Sequence, residues 1–187
     1  MLDAGCWDGT FAALAKKELG AEVWGIEINA DAAQKARGKL DKVIEGDISE
    51  AIKGLPDAKF DCIVFNDSLE HLADPYSVLE EAKKKLAPGG VVACSIPNMR
   101  YFPVLCGLVF RKEWRYTDTG VLDRTHLRFF TEKSIRETFE GLGYEVFELE
   151  GINGITTWKF NLLNILTLGL INDTRYMQFA CSAKRRQ

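Results

Sequence analysis

The sequence lacks several features that would assign it to a class at once. Its 187 residues contain no run of about 18 apolar residues, so we predict no membrane-spanning helix. The five cysteines are odd in number and include no C-x-x-C pair, which favours free thiols in a reducing compartment. No signal-peptide pattern is visible, and we therefore expect a cytoplasmic location.

An excess of positive charge is also missing. The formal net charge is −3 at pH 7, which argues against a duplex nucleic-acid partner, because such partners usually select a basic face. The apolar share of 47% and the charged share of 27% are typical of a globular protein. Length and composition together predict one domain over residues 1–187. We interpret the basic tail of Lys184, Arg185 and Arg186 as a solvated end, with an RNA or membrane contact as the alternative.

Short β-rich runs alternate with helical patterns through the first two-thirds of the chain. The predicted strands are Met1–Gly5, Glu22–Ile28, Lys42–Glu45, Phe60–Phe65 and Val91–Ile96. Helical spacing of apolar residues lies between them, and this alternation predicts βαβ units. The expected fold class is therefore α/β, with a doubly wound and mostly parallel sheet.

Apolar spacing also defines the first helix. Phe11, Leu14, Ala15 and Leu19 would share one helical face, and Gly20 would end the helix. Two further helices are predicted in this half of the chain, and their ranges are Ala30–Leu40 and Pro75–Leu86.

The regular alternation stops after the fifth predicted strand. Thr131 is a predicted N-cap for a helix with Ile135 and Phe139 on its apolar face. Two late strands are predicted at Tyr144–Leu149 and Tyr176–Ala183.

Two apolar insertions, at about residues 99–125 and 152–174, do not fit the alternating pattern. The second carries Trp158, Leu162 and Ile165 at helical spacing. Ordinary core packing, a lid over a substrate pocket and a homodimer surface are all compatible with such segments. Docking of a lipid-like substrate or of a membrane surface is a further alternative.

Polar residues follow four predicted strands in succession. The Gly-containing turn Asp3–Thr10 follows the first strand, and Glu27 follows about twenty residues later. Asp47 comes after the third strand and Asn66–Asp67 after the fourth. Because open α/β sheets bind ligands at the carboxyl ends of their strands, we expect a nucleotide-type cofactor at this edge.

These segments resemble the class I S-adenosylmethionine (SAM)-dependent methyltransferases, in particular the type 11 and type 23 small-molecule domains. The matching pieces are LDAGCWDGT, GIEIN, EGDI, FDCIVFNDSLEHLADP, LAPGGVVACSIPN and GVLDRTHLRFFT. The resemblance implies SAM as the cofactor and a Rossmann-like, mostly parallel seven-stranded sheet with an antiparallel last strand. By the same resemblance the chain is expected to be truncated at its N-terminus.

The resemblance also implies roles for individual residues. Asp3, Gly5 and Gly9 would shape the methionine side of the SAM pocket. Glu27 would hold the ribose and Asp47 the exocyclic amine of adenine. The full expected set of cofactor-binding residues is Asp3, Gly5, Cys6, Gly9, Glu27, Ile28, Asp47, Ile48, Asn66 and Asp67.

Two positions depart from the family pattern. Trp7 stands where the family usually has glycine, and it would narrow the turn or add a stacking face. The first strand begins one residue before Leu2, and the helix that usually precedes it is missing. A central strand this short is expected to cost stability.

The chain has only two histidines, and both are candidates for chemistry on an acceptor. If Asp67–His71 opens a helix, Asp67, Glu70 and His71 would share one face. We predict catalytic roles for His71, Glu70 and His126, with His71 as a base or an orienting group at neutral pH. Packing alone is one alternative. A divalent metal bound by Asp67, Glu70, His71 and His126, similar to metal-dependent O-methyltransferases, is the less favoured one.

The leading hypothesis is a SAM-dependent methyltransferase that acts on an O or N atom of a small-molecule acceptor, lipid-like acceptors included. A non-catalytic, methyltransferase-like binding module is one alternative, motivated by Trp7 and the short first strand. A nucleotide-dependent oxidoreductase is another, because the first turn and Glu27 also suit NAD. The missing G-x-G-x-x-G pattern weighs against that last hypothesis.

Overall fold

A parallel sheet forms where the sequence alternates between β-rich and helical segments. The computed structural model describes residues 1–186. The first five strands are β1 Leu2–Ala4, β2 Trp24–Glu27, β3 Lys42–Glu45, β4 Phe60–Asn66 and β5 Leu86–Pro97. The helices that connect them are α1 Thr10–Leu19, α2 Ala30–Arg37, α3 Ile48–Ala51 and α4 Pro75–Lys85. Each strand predicted in this half of the chain is present, with bounds shifted by a few residues.

The second half adds two antiparallel pairings to the sheet. Its elements are α5 Phe102–Cys106 with a π-helical turn at Gly107–Arg111, α6 Glu132–Gly141, β6 Tyr144–Gly154, α7 Trp158–Leu166 and β7 Tyr176–Arg185. Strands β6 and β7 extend beyond the predicted ranges, because they pair with each other from Tyr144–Arg185 to Gly154–Tyr176. The predicted apolar helix after Trp158 is present as α7.

The strand order of the sheet is β3-β2-β1-β4-β5-β7-β6. Strands β1 to β5 run parallel, and β7 runs antiparallel to both of its neighbours. The expected Rossmann-like sheet with an antiparallel last strand is therefore confirmed. The order reverses between β1 and β4, and this reversal opens a crevice at the carboxyl ends of those strands, where doubly wound folds bind ligands.

Side-chain caps fix where several helices begin. The Thr131 hydroxyl accepts from the Ser134 amide while the Ser134 hydroxyl accepts from the Thr131 amide, which forms a capping box at α6. This confirms Thr131 as the N-cap. The carboxylate of Asp74 accepts from the Ser77 amide at the start of α4, and the Pro residue at the first helical position suits that site.

The packing of α1 differs from its predicted amphipathic pattern. The helix ends before Gly20 as expected, but Phe11, Leu14 and Leu19 are exposed. Ala12 is the buried residue of this helix. At the start of this helix the chain approaches α2 closely, since a Cβ atom added at Gly9 would lie 3.1 Å from the Cα and Cβ of Ala36. Small residues such as Ala12 and Ala36 are the buried ones in this region.

The main core lies beneath the central strands and is apolar. Its largest fully buried side chains include Phe60, Phe65, Phe139 and Tyr144. The Tyr144 hydroxyl donates to the carbonyl of Leu79 at 2.6 Å, so the only polar atom of this side chain is satisfied. Among residues 1–186, no helix is both long and apolar enough to cross a membrane. The prediction of one domain stays a prediction.

Candidate functional site

The turn after β1 is held against β2 by its backbone. The amides of Gly5 and Cys6 both donate to the carbonyl of Ile26, at 2.9 and 3.0 Å. Gly5 has φ +95° and Gly9 has φ +76°, a region that residues with a Cβ atom rarely occupy. Gly9 then forms the N-cap of α1 without a side-chain cap. The carboxylate of Asp8 accepts from the Thr10 amide at 3.0 Å, so this side chain satisfies the first amide of the helix.

Two carboxylates lie buried at this turn. Asp3 is 2% exposed, and its Oδ1 has no hydrogen-bond partner among the described residues. Burial and the nearby carboxylate of Glu27 raise the pKa of Asp3 to about 7. A buried, unpartnered carboxylate is costly in the absence of a donor or a cation, so this atom is suited to a positively charged ligand.

Glu27 organises the same turn from the end of β2. Its Oε2 accepts from the Trp7 amide and its Oε1 accepts from the Asn29 amide, both at 2.8 Å. Each carboxylate oxygen can accept a second hydrogen bond, so the side chain can still receive hydroxyl donors. Asp3 and Glu27 therefore face the crevice from neighbouring strands.

Trp7 adopts φ +48°, the left-handed conformation that favours glycine. This explains why a glycine is usual at the position and why tryptophan is strained there. Its side chain is 64% exposed. The sequence predicts that Trp7 either narrows the turn or adds a stacking face. The exposure of the side chain fits an added aromatic face.

The remaining predicted cofactor residues are spread along the same edge of the sheet. Asp47 is exposed, caps α3 and accepts from the Ser49 amide at 2.7 Å. Ile48 is buried beneath the turn, where its Cδ1 would lie 3.7 Å from a Cβ added at Gly5. Ile28 is exposed beyond β2, and Asn66 is half-buried at the end of β4. The structure thus gathers the predicted residues at one edge, with Ile28 and Asp47 at its exposed rim.

A cavity of about 290 Å³ lies beyond β4. Its lining residues are Asp67, Glu70, His71, Pro97, Thr119, Gly120, Val121, Asp123, His126, Met177 and Gln178. Both histidines of the chain line this cavity, as the catalytic hypothesis requires. Its walls come from the ends of β4 and β5, from the 99–125 insertion and from the start of β7.

Glu70, His71 and His126 form the polar centre of this cavity. One ligand-type atom from each lies within 4.8 Å of the other two. The imidazole rings of His71 and His126 meet edge to face, with centroids 4.7 Å apart. The Nε2 of His126 lies 3.9 Å from the Oε1 of Glu70, which is too long for a hydrogen bond.

Backbone contacts orient the two imidazoles. The Nδ1 of His71 lies 3.3 Å from the carbonyl of Thr125, and the Nδ1 of His126 lies 3.2 Å from that of Val121. A carbonyl only accepts, so these contacts require the proton on Nδ1 in both rings. The Nε2 atoms are then free to accept a proton or to bind a cation.

Burial determines the protonation states of Glu70 and His126. Glu70 is 1% exposed, and neither carboxylate oxygen has a hydrogen-bond partner within the described part of the chain. Burial raises the pKa of Glu70 to about 8, so this carboxyl is protonated at neutral pH. Burial also lowers the pKa of His126, which keeps that imidazole neutral. A neutral carboxylic acid beside the neutral imidazole of His126 suits proton exchange with an acceptor.

Asp67 stands apart from this group, contrary to the predicted shared helix face. The segment forms a 3₁₀ turn at Leu69–His71, and Asp67 precedes it with φ +46°. The Oδ1 of Asp67 accepts from the Nε2 of Gln178 at 2.5 Å. A 3₁₀ turn does not repeat the i, i+3, i+4 geometry of an α-helix, so the shared face does not form.

Sequence reasoning missed Gln178 and Met177, which bring β7 to the cavity. Gln178 is a polar residue within a largely apolar strand. This departure from the apolar pattern is the sequence feature that could have marked it as a site residue. Its pairing with Asp67 spans 111 positions of sequence, which no local pattern reveals.

Comparison with known proteins identifies the family. A family model described as a methyltransferase domain matches residues 1–149. This chain belongs to the SAM-dependent methyltransferases. The resemblance inferred from the motifs is thereby confirmed, and the oxidoreductase alternative finds no support.

Several relatives of this methyltransferase domain are known. A ubiquinone biosynthesis O-methyltransferase from Pectobacterium atrosepticum is 34% identical over 103 residues, which are 52% of this chain and 42% of that protein. A probable SAM-dependent methyltransferase from Mycolicibacterium smegmatis is 29% identical over 154 residues, 81% of this chain and 54% of that protein. The chain therefore spans about half the length of these two curated relatives.

A solved structure supports the same fold. A SAM-dependent methyltransferase from Archaeoglobus fulgidus superimposes with a TM-score of 0.71 at 23% identity, covering 98% of this chain and 85% of that one. At this identity the likeness concerns the fold alone.

The turn has the features that SAM requires. The unpartnered Oδ1 of Asp3 suits a cationic group, and the glycine conformations at Gly5 and Gly9 leave the backbone open to close approach. The donor set of Glu70, His71 and His126 is also chemically suited to a divalent metal, since imidazoles and carboxylates are common ligands of such ions.

Proposed function

We propose that this domain binds SAM at the Asp3–Thr10 turn and transfers its methyl group to an O or N atom of a small-molecule acceptor held beside His71. The observation that carries the proposal is the pair of buried carboxylates, Asp3 and Glu27, at the reversal point of the sheet. The family of the chain supports the transfer chemistry. The cavity lined by His71 supports an acceptor site next to it.

Cofactor binding is assigned to residues of the sheet edge. Asp3 would receive the ammonium of the methionine moiety, since its Oδ1 has no protein partner. Glu27 would accept the ribose hydroxyls, while its existing bonds to backbone amides keep it oriented. Asp47, at the rim, would accept the adenine amine. Bound SAM supplies an electrophilic methyl group on a sulfonium, so the protein mainly has to align the acceptor.

Acceptor activation is assigned to His71. With Nδ1 directed at the carbonyl of Thr125, its Nε2 can take a proton from a hydroxyl or an ammonium in the cavity. Glu70 and His126 lie close to it, and burial favours the neutral form of both side chains. Because one relative is a ubiquinone biosynthesis O-methyltransferase, hydroxyl acceptors are the first class to test.

Calorimetry with SAM tests the cofactor half of the proposal. Glu27→Ala is expected to weaken SAM binding by at least about tenfold, because it removes hydroxyl acceptors and loosens the turn. Glu80→Ala on the exposed face of α4 is the matched control and should bind SAM like the wild type. Equal SAM affinity in the wild type and Glu27→Ala would contradict the proposed pocket.

A methyl-transfer screen tests the acceptor half. Turnover with any hydroxyl or amine acceptor should fall by about 10²–10⁴-fold in His71→Ala, with SAM affinity unchanged. SAM binding without turnover on any acceptor would instead favour the non-catalytic binding module.

A second candidate mechanism uses a divalent metal, and the clustering of Glu70, His71 and His126 favours it. In that case the metal would bind the acceptor oxygen and lower its pKa. Activity lost in a chelator and restored by Mg²⁺ or Zn²⁺ would select this mechanism. Activity that is insensitive to the chelator would leave His71 as the base.

A further inference from the structure

Helix α7 exposes its apolar side instead of burying it. Trp158, Leu162, Ile165 and Leu166 follow at i, i+4, i+7 and i+8, so they form one stripe along the helix. Ile165 and Leu166 are each 70% exposed, whereas Phe160 on the other side is buried. A surface helix normally shows the reverse arrangement, with its apolar stripe toward the core.

The apolar stripe continues past the end of α7. Leu168 is 91% exposed and adopts φ +52°, a conformation that is unfavourable for a branched side chain. Leu170 follows at 78% exposure. Lys159 is the only charged residue between Trp158 and Ile171.

A second exposed apolar segment lies beside this helix. The π-helical turn after α5 carries Leu108, Val109 and Phe110, all exposed. The two segments are anchored to each other through α5, because Phe102 at its start meets the buried Phe160 of α7 edge to face, with ring centroids 5.3 Å apart. We refer to residues 108–110 together with the exposed side of residues 158–170 as the late apolar surface. Exposed apolar areas of this kind mark binding surfaces.

The late apolar surface lies at the same edge of the sheet as the acceptor cavity. Both segments follow the carboxyl ends of β5 and β6. A second cavity of about 320 Å³ is lined by Tyr101, Val104 and Gly107, which precede residues 108–110. Val121 and Met177 line both this cavity and the one beside His71. The chain segment that leads to the late apolar surface therefore also borders the proposed acceptor site.

The charge around the surface is positive although the whole chain is acidic. Arg111, Lys112 and Lys159 flank the apolar residues, and none of them forms an ion pair within residues 1–186. The acidic residues of the same segments are neutralised locally: Glu113 lies 3.7 Å from Arg115, and Asp173 pairs with Arg100.

We propose that the late apolar surface docks on the surface of an anionic lipid bilayer. An apolar helix face flanked by lysine and arginine, with a tryptophan at its start, is the composition that lies in a membrane interface. A second copy of the chain is the weaker fit. A two-fold contact would bring the same positively charged surface of both copies into one interface, where like charges would repel.

Co-sedimentation with vesicles tests the docking without cofactor or acceptor, so its outcome is independent of the proposed enzymatic function. The wild type should bind vesicles of equal parts phosphatidylcholine and phosphatidylglycerol, and bind pure phosphatidylcholine vesicles more weakly. Ile165→Ser/Leu166→Ser should weaken binding to the mixed vesicles by about tenfold or more, because less apolar area is buried. Lys112→Gln/Lys159→Gln should weaken it by roughly fivefold per charge at low salt.

Leu14→Ser/Leu19→Ser is the matched control, since both leucines are exposed on α1 and outside the late apolar surface. This variant should bind vesicles like the wild type, and circular dichroism should show native helix content in every variant. Absence of wild-type binding to the mixed vesicles would overturn the proposal. It would also be overturned by a wild-type dimer that Ile165→Ser/Leu166→Ser dissociates, because the surface would then join two copies.

Discussion

Replacing Asp3 with asparagine probes the electrostatics of the cofactor turn directly. Burial and Glu27 raise the pKa of Asp3 from 3.8 to about 7, so the carboxyl is partly protonated at neutral pH. A cationic ligand binds the ionised carboxylate better than the neutral acid. SAM affinity in the wild type should therefore increase as the pH rises through about 7.

The size of this effect follows from the ionised fraction. With a pKa of about 7, roughly one-tenth of Asp3 is ionised at pH 6 and about nine-tenths at pH 8. If SAM requires the ionised form, its apparent affinity rises about tenfold between these two pH values. The amino group of SAM also titrates near this range, and its deprotonation toward pH 8 weakens the contact with the Asp3 carboxylate. The ratio of wild-type to variant affinity should therefore rise from pH 6 to pH 8, by at most about tenfold.

Calorimetric titrations of both proteins across this pH range measure the ratio, and buffers of different ionisation enthalpy report the proton released on binding. Without ligand, Asp3 should make the free energy of unfolding fall as the pH rises from 3.8 through about 7, because burial favours the protonated form. A wild-type to variant ratio that is constant with pH would refute the assignment of Asp3 to a cationic group of SAM.

Three further predictions concern stability, each measured by urea denaturation. Because burial raises the pKa of Glu70 from 4.5 to about 8, the free energy of unfolding should fall with pH between these values, and Glu70→Gln should remove that component, at most about 1.4 kcal/mol per pH unit. Equal pH slopes in the two proteins would contradict the burial of an unpartnered carboxyl. Gly25→Ala would place a Cβ atom 2.5 Å from the Sγ of Cys6, and it should lower the free energy of unfolding by about 1–3 kcal/mol. An unchanged free energy of unfolding would mean that Gly25 and Cys6 are less closely packed than in the structure. Trp7→Val should be less stable than Trp7→Gly by about 1–2 kcal/mol, since φ at this position is +48° and valine is branched. The opposite order would show that the left-handed conformation is not adopted.

Local patterns predicted most of the sheet and its cofactor edge. The apolar run of β4, the Thr131 cap of α6 and the glycines of the first turn each depend on neighbouring residues, so they can be recognised in sequence. The position of Glu27 at the end of β2 follows from the same alternation.

Long-range packing could not be predicted in this way. The apolar spacing of α1 does not reveal that Phe11, Leu14 and Leu19 stay exposed. The hydrogen bond of Asp67 to Gln178 joins it to a residue from the far end of the chain. These features depend on contacts between elements that are distant in sequence. Hydrophobic periodicity does not indicate such contacts.

The position of β7 imposes an order of events on folding. This strand is made after both β5 and β6, yet it lies between them in the sheet. In a nascent chain that has reached Gly154, β5 is therefore paired only with β4, and β6 has no neighbouring strand. The gap is filled only when residues 176–185 arrive and pair on both sides. Until then the facing edges of β5 and β6 are open, which makes this interval the step most prone to aggregation.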